Sequence, residues 1–68
     1  MICKYYKAVN RKTGNAIYHN FDWFDDDESF RRWLKAESGN RLRMTESTRD
    51  EKAAFEDAQR RNPAAREW

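Results

Sequence analysis

The fold is decided by residues 2–21, which read ICKYYKAVNRKTGNAIYHNF. Residues 2–9 are rich in aromatic and β-branched types and are followed by a second such segment, residues 16–21, so both are predicted to be strands. Between them, Asn10 suits the first position of a type I turn. Gly14 can adopt the left-handed conformation that closes a short hairpin with a bulge. A β-hairpin is therefore the clearest local prediction.

The segment after the hairpin predicts a helix from about Asp26 to Ser38. Its apolar residues recur with helical spacing at Phe30, Trp33 and Leu34. Asp25 and Glu28 are spaced as a capping box at its start, and carboxylates in the first turn complement the helix dipole. Gly39 is placed to end the helix as a C-cap.

The remaining residues predict a short strand and a second helix. Residues 41–45 alternate between polar and apolar types, which is typical of a half-buried strand. Thr48 and Glu51 form another capping box, so a helix is expected from about residue 49 to residue 61, where Asn62 precedes a proline. Its apolar face is thin, consisting of Ala54, Phe55 and Ala58. Such a helix is expected to cover the sheet partly, to project from it, or to pack on a second copy or a partner. A solvated surface helix pinned by Phe55 alone is an equal alternative.

The predicted order of elements is ββαβα, a small α+β fold. A right-handed crossover through the first helix would place the third strand beside the first, giving a three-stranded antiparallel sheet of order 2-1-3 with one helix packed across it. Ten of the 68 residues are Phe, Trp or Tyr while aliphatic residues are few, so we expect a largely aromatic core. We expect one domain over residues 1–61 and a short, flexible tail over residues 62–68.

Composition narrows the functional class. Cys3 is the only cysteine, so an intrachain disulfide is excluded and a reducing, cytoplasmic location is expected. No apolar run approaches the roughly 20 residues of a membrane-spanning helix. The only histidine is His19. A nucleophilic Cys3–His19 site would require the two to lie opposite each other near the open end of the hairpin. An exposed strand there lacks the enclosed pocket that nucleophilic catalysis uses. We therefore expect a protein that is not an enzyme and has neither a cofactor nor a metal.

The charges are segregated along the chain although the net charge is only +2. Residues 22–28 contain five acidic side chains and no basic one, while the preceding 21 residues contain four basic side chains and no acidic one. The acidic run can act as a helix cap, as a docking surface, or as a divalent-cation site, although the spacing of a calcium loop is missing. Trp23 and Phe24 within it are either core residues or an aromatic interface anchor ringed by charge. The candidate partner-binding residues are Asp22, Trp23, Asp25, Asp26, Asp27, Arg31, Arg32 and Lys35.

The predicted sheet suggests a second kind of surface, because its basic residues are interleaved with tyrosines. Lys and Arg would contact phosphates, and exposed rings would stack on unpaired bases. The candidate nucleic-acid-binding residues are Lys4, Tyr6, Lys7, Arg11, Lys12, Tyr18, Arg41 and Arg43. Residues 5–14, Tyr-Tyr-x-x-x-Asn-Arg-Lys-Thr-Gly, resemble the hairpin turn of the small DNA-binding sheets in the arm-binding domains of phage integrases. In those domains the third strand follows the hairpin directly, whereas here a helix intervenes.

Two functional hypotheses follow. In the first, the chain is a small non-catalytic protein that binds and modulates or inhibits a larger partner, as phage and mobile-element accessory proteins do with a host protein or nucleoprotein complex. In the second, the basic, tyrosine-bearing sheet binds nucleic acid. A homodimer is compatible with either hypothesis, and no membrane partner is expected.

Overall fold

The computed structural model describes residues 1–61, which form three strands and two helices. In chain order these are β1 (Ile2–Asn10), β2 (Ala16–Phe24), α1 (Asp27–Glu37), β3 (Leu42–Glu46) and α2 (Arg49–Arg61). β1 lies in the centre of the sheet and pairs antiparallel with both β2 and β3. The predicted ββαβα order and the 2-1-3 sheet are confirmed. The predicted tail lies outside the described residues.

The hairpin turn forms through the residues predicted for it. The side-chain oxygen of Asn10 accepts hydrogen bonds from the backbone N–H groups of Lys12 and Thr13, at 2.9 and 3.3 Å. Gly14 has a φ of 76°, and its N–H donates to the carbonyl of Asn10 at 2.7 Å. The strand register shifts between Ala8 and Val9, as expected for a hairpin closed with a bulge.

β2 is longer than predicted, because it continues to Phe24 instead of ending near Phe21. The acidic run is therefore divided between the end of the strand and the start of α1. The register pairs Cys3 with Trp23 and Lys7 with His19, so Cys3 and His19 do not lie opposite each other as a site made of the two would require. A continuous hairpin ladder explains the extension, since the first residues of β1 need a partner strand of equal length.

The two ends of α1 differ in detail from the prediction. The N-cap is Asp26, not Asp25, and its carboxylate accepts a hydrogen bond from the N–H of Ser29 at 2.8 Å. The C-cap is Ser38 with φ −69°, and Gly39 does not have a positive φ, so a left-handed glycine does not end this helix. The Ser38 hydroxyl instead donates to the carbonyl of Leu34 and accepts from the N–H of Met44, both at 2.9 Å. One side chain thereby joins the end of α1 to β3.

The core lies between α1 and the face of the sheet formed by the even-numbered residues of β1. Phe30 is only 1% exposed, and its ring lies 5.0 Å from that of Phe24. Tyr6 is buried against Trp33, with 4.6 Å between ring centroids. Four of the nine core residues are aromatic, so the core is aromatic in part, and the apolar stripe of α1 is the one predicted.

α2 packs on its own sheet, on the face opposite α1. Successive residues of a strand point to opposite faces; Tyr18 contacts Met44 on the α1 side, whereas His19 packs on Phe55 of α2 with 4.7 Å between ring centroids. None of the α2 side chains is buried. Ala54 and Ala58 are exposed, and Phe55 alone of the three makes the contact, as expected for a solvated surface helix pinned by Phe55. No helix within residues 1–61 is long and apolar enough to cross a membrane.

Candidate protein-binding face

The two most exposed aromatic side chains, Phe21 and Trp23, lie at one end of the α2 side of the sheet. Phe21 and Trp23 are 45% and 57% exposed, and the alternation of β2 places both on this side. Tyr5, on the neighbouring strand, packs against Phe21 with 5.4 Å between ring centroids. We call Tyr5, Phe21 and Trp23 the aromatic face. It exists because the strand continues through Trp23, which fixes the side on which that ring lies.

A groove separates the outer edge of β2 from α2. Its volume is about 510 Å³, and its lining comes from Ile17, Tyr18, His19 and Asn20 of β2 and from Lys52, Phe55, Glu56 and Gln59 of α2. Side chains from both faces of β2 take part, so the groove follows the edge of the strand and α2 forms its other wall. The Lys52 ammonium lies 6.0 Å from the centroid of the Phe21 ring, which makes the groove continuous with the aromatic face.

A chain of polar contacts attaches the start of α2 to the sheet. Nδ1 of His19 lies 2.9 Å from the Ser47 hydroxyl, which lies 3.0 Å from a carboxylate oxygen of Glu51. The Lys7 ammonium approaches the same carboxylate oxygen at 3.6 Å. A hydroxyl has one proton, and the carboxylate can only accept when it is ionised, so Ser47 donates to Glu51 and His19 donates from Nδ1. Neutral His19 is thereby assigned to the tautomer with a proton on Nδ1.

The electrostatics of this chain agree with that assignment. Burial lowers the pKa of His19, and the charge of Lys7 lowers it further. The hydrogen bond from Ser47 lowers the pKa of Glu51, and Lys7 contributes in the same direction. Ser47 itself is buried and stands between the imidazole and the carboxylate. In a nucleophilic triad the imidazole occupies the middle position, whereas here Ser47 does. What the three side chains do in this arrangement is join the start of α2 to the sheet.

The predicted partner-binding residues do not form one surface. Asp26 caps α1, and the resulting hydrogen bonds from Ser29 lower its pKa. Asp27 forms an ion pair with Lys4 at 3.0 Å. Asp22 and Asp25 are exposed near the start of α1, and the three basic residues of α1, Arg31, Arg32 and Lys35, are exposed on that helix. Trp23 lies across the sheet from α1. Within residues 1–61, no three His, Cys, Asp or Glu side chains lie together in a way that could hold a metal ion.

The predicted nucleic-acid-binding residues divide into two groups. Tyr6 is buried, and Tyr18 donates its hydroxyl to the Met44 sulfur at 3.6 Å. Lys4 lies between Asp27 and Glu46 at 3.0 and 3.1 Å, and these hydrogen bonds raise its pKa. Lys7 interacts with Glu51, as described above. These four residues are therefore occupied within the fold.

The other four predicted basic residues are brought together at the turn end of the hairpin. We call this group the basic end; it comprises Arg11, Lys12, Arg41 and Arg43. The backbone N–H of Arg11 donates to the carbonyl of Arg41 at 2.9 Å, and its Nε donates to the carbonyl of Gly39 at 2.8 Å. These bonds join the hairpin turn to the α1–β3 loop. The segments 9–16 and 38–45 contain no acidic residue, so the basic end is a local positive patch.

The sequence reasoning missed the contributions of Tyr5, Phe21, Ser47 and the groove. The signal for Phe21 was present, because Phe21 and Trp23 are two residues apart and would share a face if the strand were continued past residue 21. Ser47 precedes the Thr48 cap and has no comparable local signal. In comparisons with known proteins, the chain matches no protein-family model, no curated protein and no solved structure.

Proposed function

We propose that this chain is a small non-catalytic protein that binds a protein partner through the aromatic face and thereby modulates or inhibits it. The observation that supports this proposal is the exposure of Phe21 and Trp23 on one side of an edge strand, at 45% and 57%. Only five hydrophobic side chains of residues 1–61 are buried, so leaving two large rings in water is costly for a domain with so small a core. Adjacent exposed apolar side chains of this kind mark interaction sites.

The energy available on this face is sufficient for a specific contact. An aromatic side chain can bury about 150–250 Å², and roughly half of that is still exposed for each of these rings, so covering either one contributes about 2–3 kcal/mol. Phe21 and Trp23 lie on a strand, which presents them in fixed positions. Rigid aromatic anchors of this type account for most of the binding energy in many interfaces.

The charges at the end of β2 favour a basic partner surface. Asp22 and Asp25 are exposed there, and Asp22 is the only charged residue of that strand. Alternation places the Asp22 side chain on the side of the strand opposite Phe21 and Trp23, so a basic group would meet it when the partner covers the edge of β2 as well as the aromatic face. A host protein or a nucleoprotein complex bound by an accessory protein of a phage or mobile element would fit these features.

The test compares paired substitutions on the two sides of the sheet. Tagged chains are used to capture the partner from extracts of the native host, and affinity is then measured with the purified partner. We expect Phe21→Ser with Trp23→Ser to weaken binding by at least about tenfold. The matched control, Arg32→Ser with Lys35→Ser on α1, should leave it within about twofold. About half of each ring is buried, so the aromatic variant is expected to be less stable than the control, and urea titration must show that it is folded at the temperature of the binding measurement. Retention of the partner by the aromatic variant contradicts the proposal.

Direct nucleic-acid binding through the basic end is the second candidate, and the clustering of Arg11, Lys12, Arg41 and Arg43 supports it. Four cations that each neutralise one phosphate of single-stranded nucleic acid predict a slope of about −3 for log K against log salt concentration. Replacing Arg41 or Arg43 with alanine should reduce the magnitude of that slope by somewhat less than about one unit. Arg31→Ala on α1 removes the same charge and serves as the control. Absence of binding to a random-sequence oligonucleotide at about 50 mM salt refutes this candidate.

A further inference from the structure

We propose that the groove along β2 receives an extended segment of the protein partner, which adds to the sheet as a fourth strand beside β2. The added strand would pair with the free edge of β2, carry apolar side chains at alternate positions over the aromatic face, and place a basic side chain opposite Asp22. The proposal rests on the proposed protein-binding function and specifies how the partner is bound. Strand addition to an exposed sheet edge derives its affinity from backbone hydrogen bonds and its specificity from alternate side chains.

The composition of β2 leaves its edge open to pairing. β2 lies at one margin of the sheet and is nine residues long, with the sequence AIYHNFDWF. Proteins protect such edges with lysine, proline, bulges or very short strands. β2 contains no lysine and no proline, its bulge is confined to the turn end, and its one charged side chain, Asp22, accepts a hydrogen bond from the N–H of Trp23. The opposite edge, β3, has only five residues and includes Arg43 and Glu46. Of the two edges, β2 is therefore the one suited to accept another strand.

The groove has the form that an added strand requires. The groove has a volume of about 510 Å³; one of its walls is the edge of β2 and the other is α2. Ile17, His19 and Phe55 supply an apolar and aromatic lining. On the α2 wall, Lys52 and Glu56 form an ion pair one helical turn apart, so neither charge is left for the added strand to compensate. An extended segment can lie in this groove and continue over Phe21 and Trp23.

Charge favours a basic strand of another protein over a second copy of this chain. A symmetric antiparallel pairing of two β2 strands around residues 20–22 would bring the two Asp22 carboxylates near each other, with Asp25 of each copy close by. Like charges across adjacent strands are destabilising. A lysine or arginine in the added strand opposite Asp22 instead forms a favourable cross-strand pair.

The test uses synthetic peptides as the probe, with the intact chain as the receptor. The parent peptide has nine residues to match β2, alternates valine with threonine, and has one lysine at a threonine position. Two derivatives are N-methylated on alternate amides, one in each phase. Only every second amide of an added strand faces β2, so one derivative should lose at least about tenfold in affinity while the other stays within about threefold of the parent. A peptide of the same composition without alternation is the control.

The results separate this proposal from the proposed function. Alternate amides of residues 16–24 should become protected from hydrogen exchange when the parent peptide binds, and Asp22→Asn should weaken the lysine peptide more than a matched glutamine peptide. Strand addition is overturned if the two methylated derivatives bind equally well, or if the parent peptide does not bind. The proposed function still stands in that case, provided that Phe21→Ser with Trp23→Ser releases the partner. A stable dimer of the free chain in sedimentation, in which the outward amides of β2 are protected from hydrogen exchange, identifies a second copy as the occupant and also overturns the proposal.

Discussion

The two faces of the sheet are held in different ways. The α1 face is closed by tightly packed aromatic rings, with Phe30 almost completely buried and Tyr6 against Trp33. The α2 face is joined by one aromatic contact, between His19 and Phe55, and by polar contacts through Ser47. The buried aromatic rings thus lie on one face of this small domain, while the other face has exposed aromatic surface and a groove. A domain this small buries little apolar surface, so we expect the α1 face to supply most of its stability.

The strongest test of this comparison is the substitution Phe30→Ala. Removing a fully buried phenylalanine costs about 3–5 kcal/mol, which is comparable to the whole stability of about 3–10 kcal/mol expected for a domain of this size. We expect the variant to be largely unfolded at room temperature, as measured by circular dichroism and urea titration. Phe30→Leu, which keeps most of the apolar volume, should remain folded. A cooperative transition for Phe30→Ala close to that of the parent would show that α1 does not provide the main core.

The substitution Phe55→Ala tests the other face and should have a smaller, local effect. Phe55 is only half-buried, so we expect a loss of about 1–2 kcal/mol, confined to the attachment of α2. Hydrogen exchange should show lost protection over residues 49–61, while β1 and α1 keep theirs. Ala58→Ser, at an exposed position of the same helix, is the control. Loss of protection throughout the sheet would mean that the two faces form one cooperative unit.

A change of pH should alter the free energy of unfolding through the α2 face, and this is the smallest of the three effects. The pKa of His19 in the folded protein lies below its usual value of 6.5 because of burial and the charge of Lys7. The unfolded chain therefore binds a proton more readily, and the free energy of unfolding must decrease as the pH falls below about 6.5. Urea titrations at about pH 7.5 and pH 5.5 would measure this decrease, above the range in which carboxylates titrate.

His19→Asn is the matched variant for the pH experiment, since its amide nitrogen stands in the position of Nδ1 and can still donate to Ser47 while carrying no titratable group. We expect its stability to be nearly constant between the two pH values. An equal decrease in both proteins would assign the pH dependence to groups other than His19. Hydrogen exchange at the lower pH should again show the loss in residues 49–61 first.

Much of the fold could be predicted because its signals are local. Asn10 and Gly14 define the hairpin turn through hydrogen bonds within five residues. Thr48 caps α2 by accepting from the N–H of Glu51 at 3.1 Å, three residues away. The other half of that capping box did not form, because the Glu51 carboxylate interacts with Ser47 and Lys7 instead. Tertiary partners compete with local ones for the same side chain, and here they prevailed.

The candidate sites were less predictable, because they depend on which distant residues meet. Of the eight predicted nucleic-acid-binding residues, four have side chains that make contacts within the fold and four lie together at the basic end. This division follows from the sheet register and from the ion pairs of Lys4 and Lys7. Trp23 was recognised as either core or anchor, and the extension of β2 decided its side of the sheet. No local pattern determines the length of a strand whose partner lies elsewhere.

Periodicity and interactions within a few residues are enough to predict the order of elements, the hairpin, the apolar stripe of α1 and the α+β architecture. Only the tertiary structure decided that α2 docks over β2, that Phe21 and Trp23 stay exposed beside a groove, and that four basic residues converge. The physical reason is that these features arise from contacts between residues distant in sequence, whose formation is set by packing and register and not by any single segment.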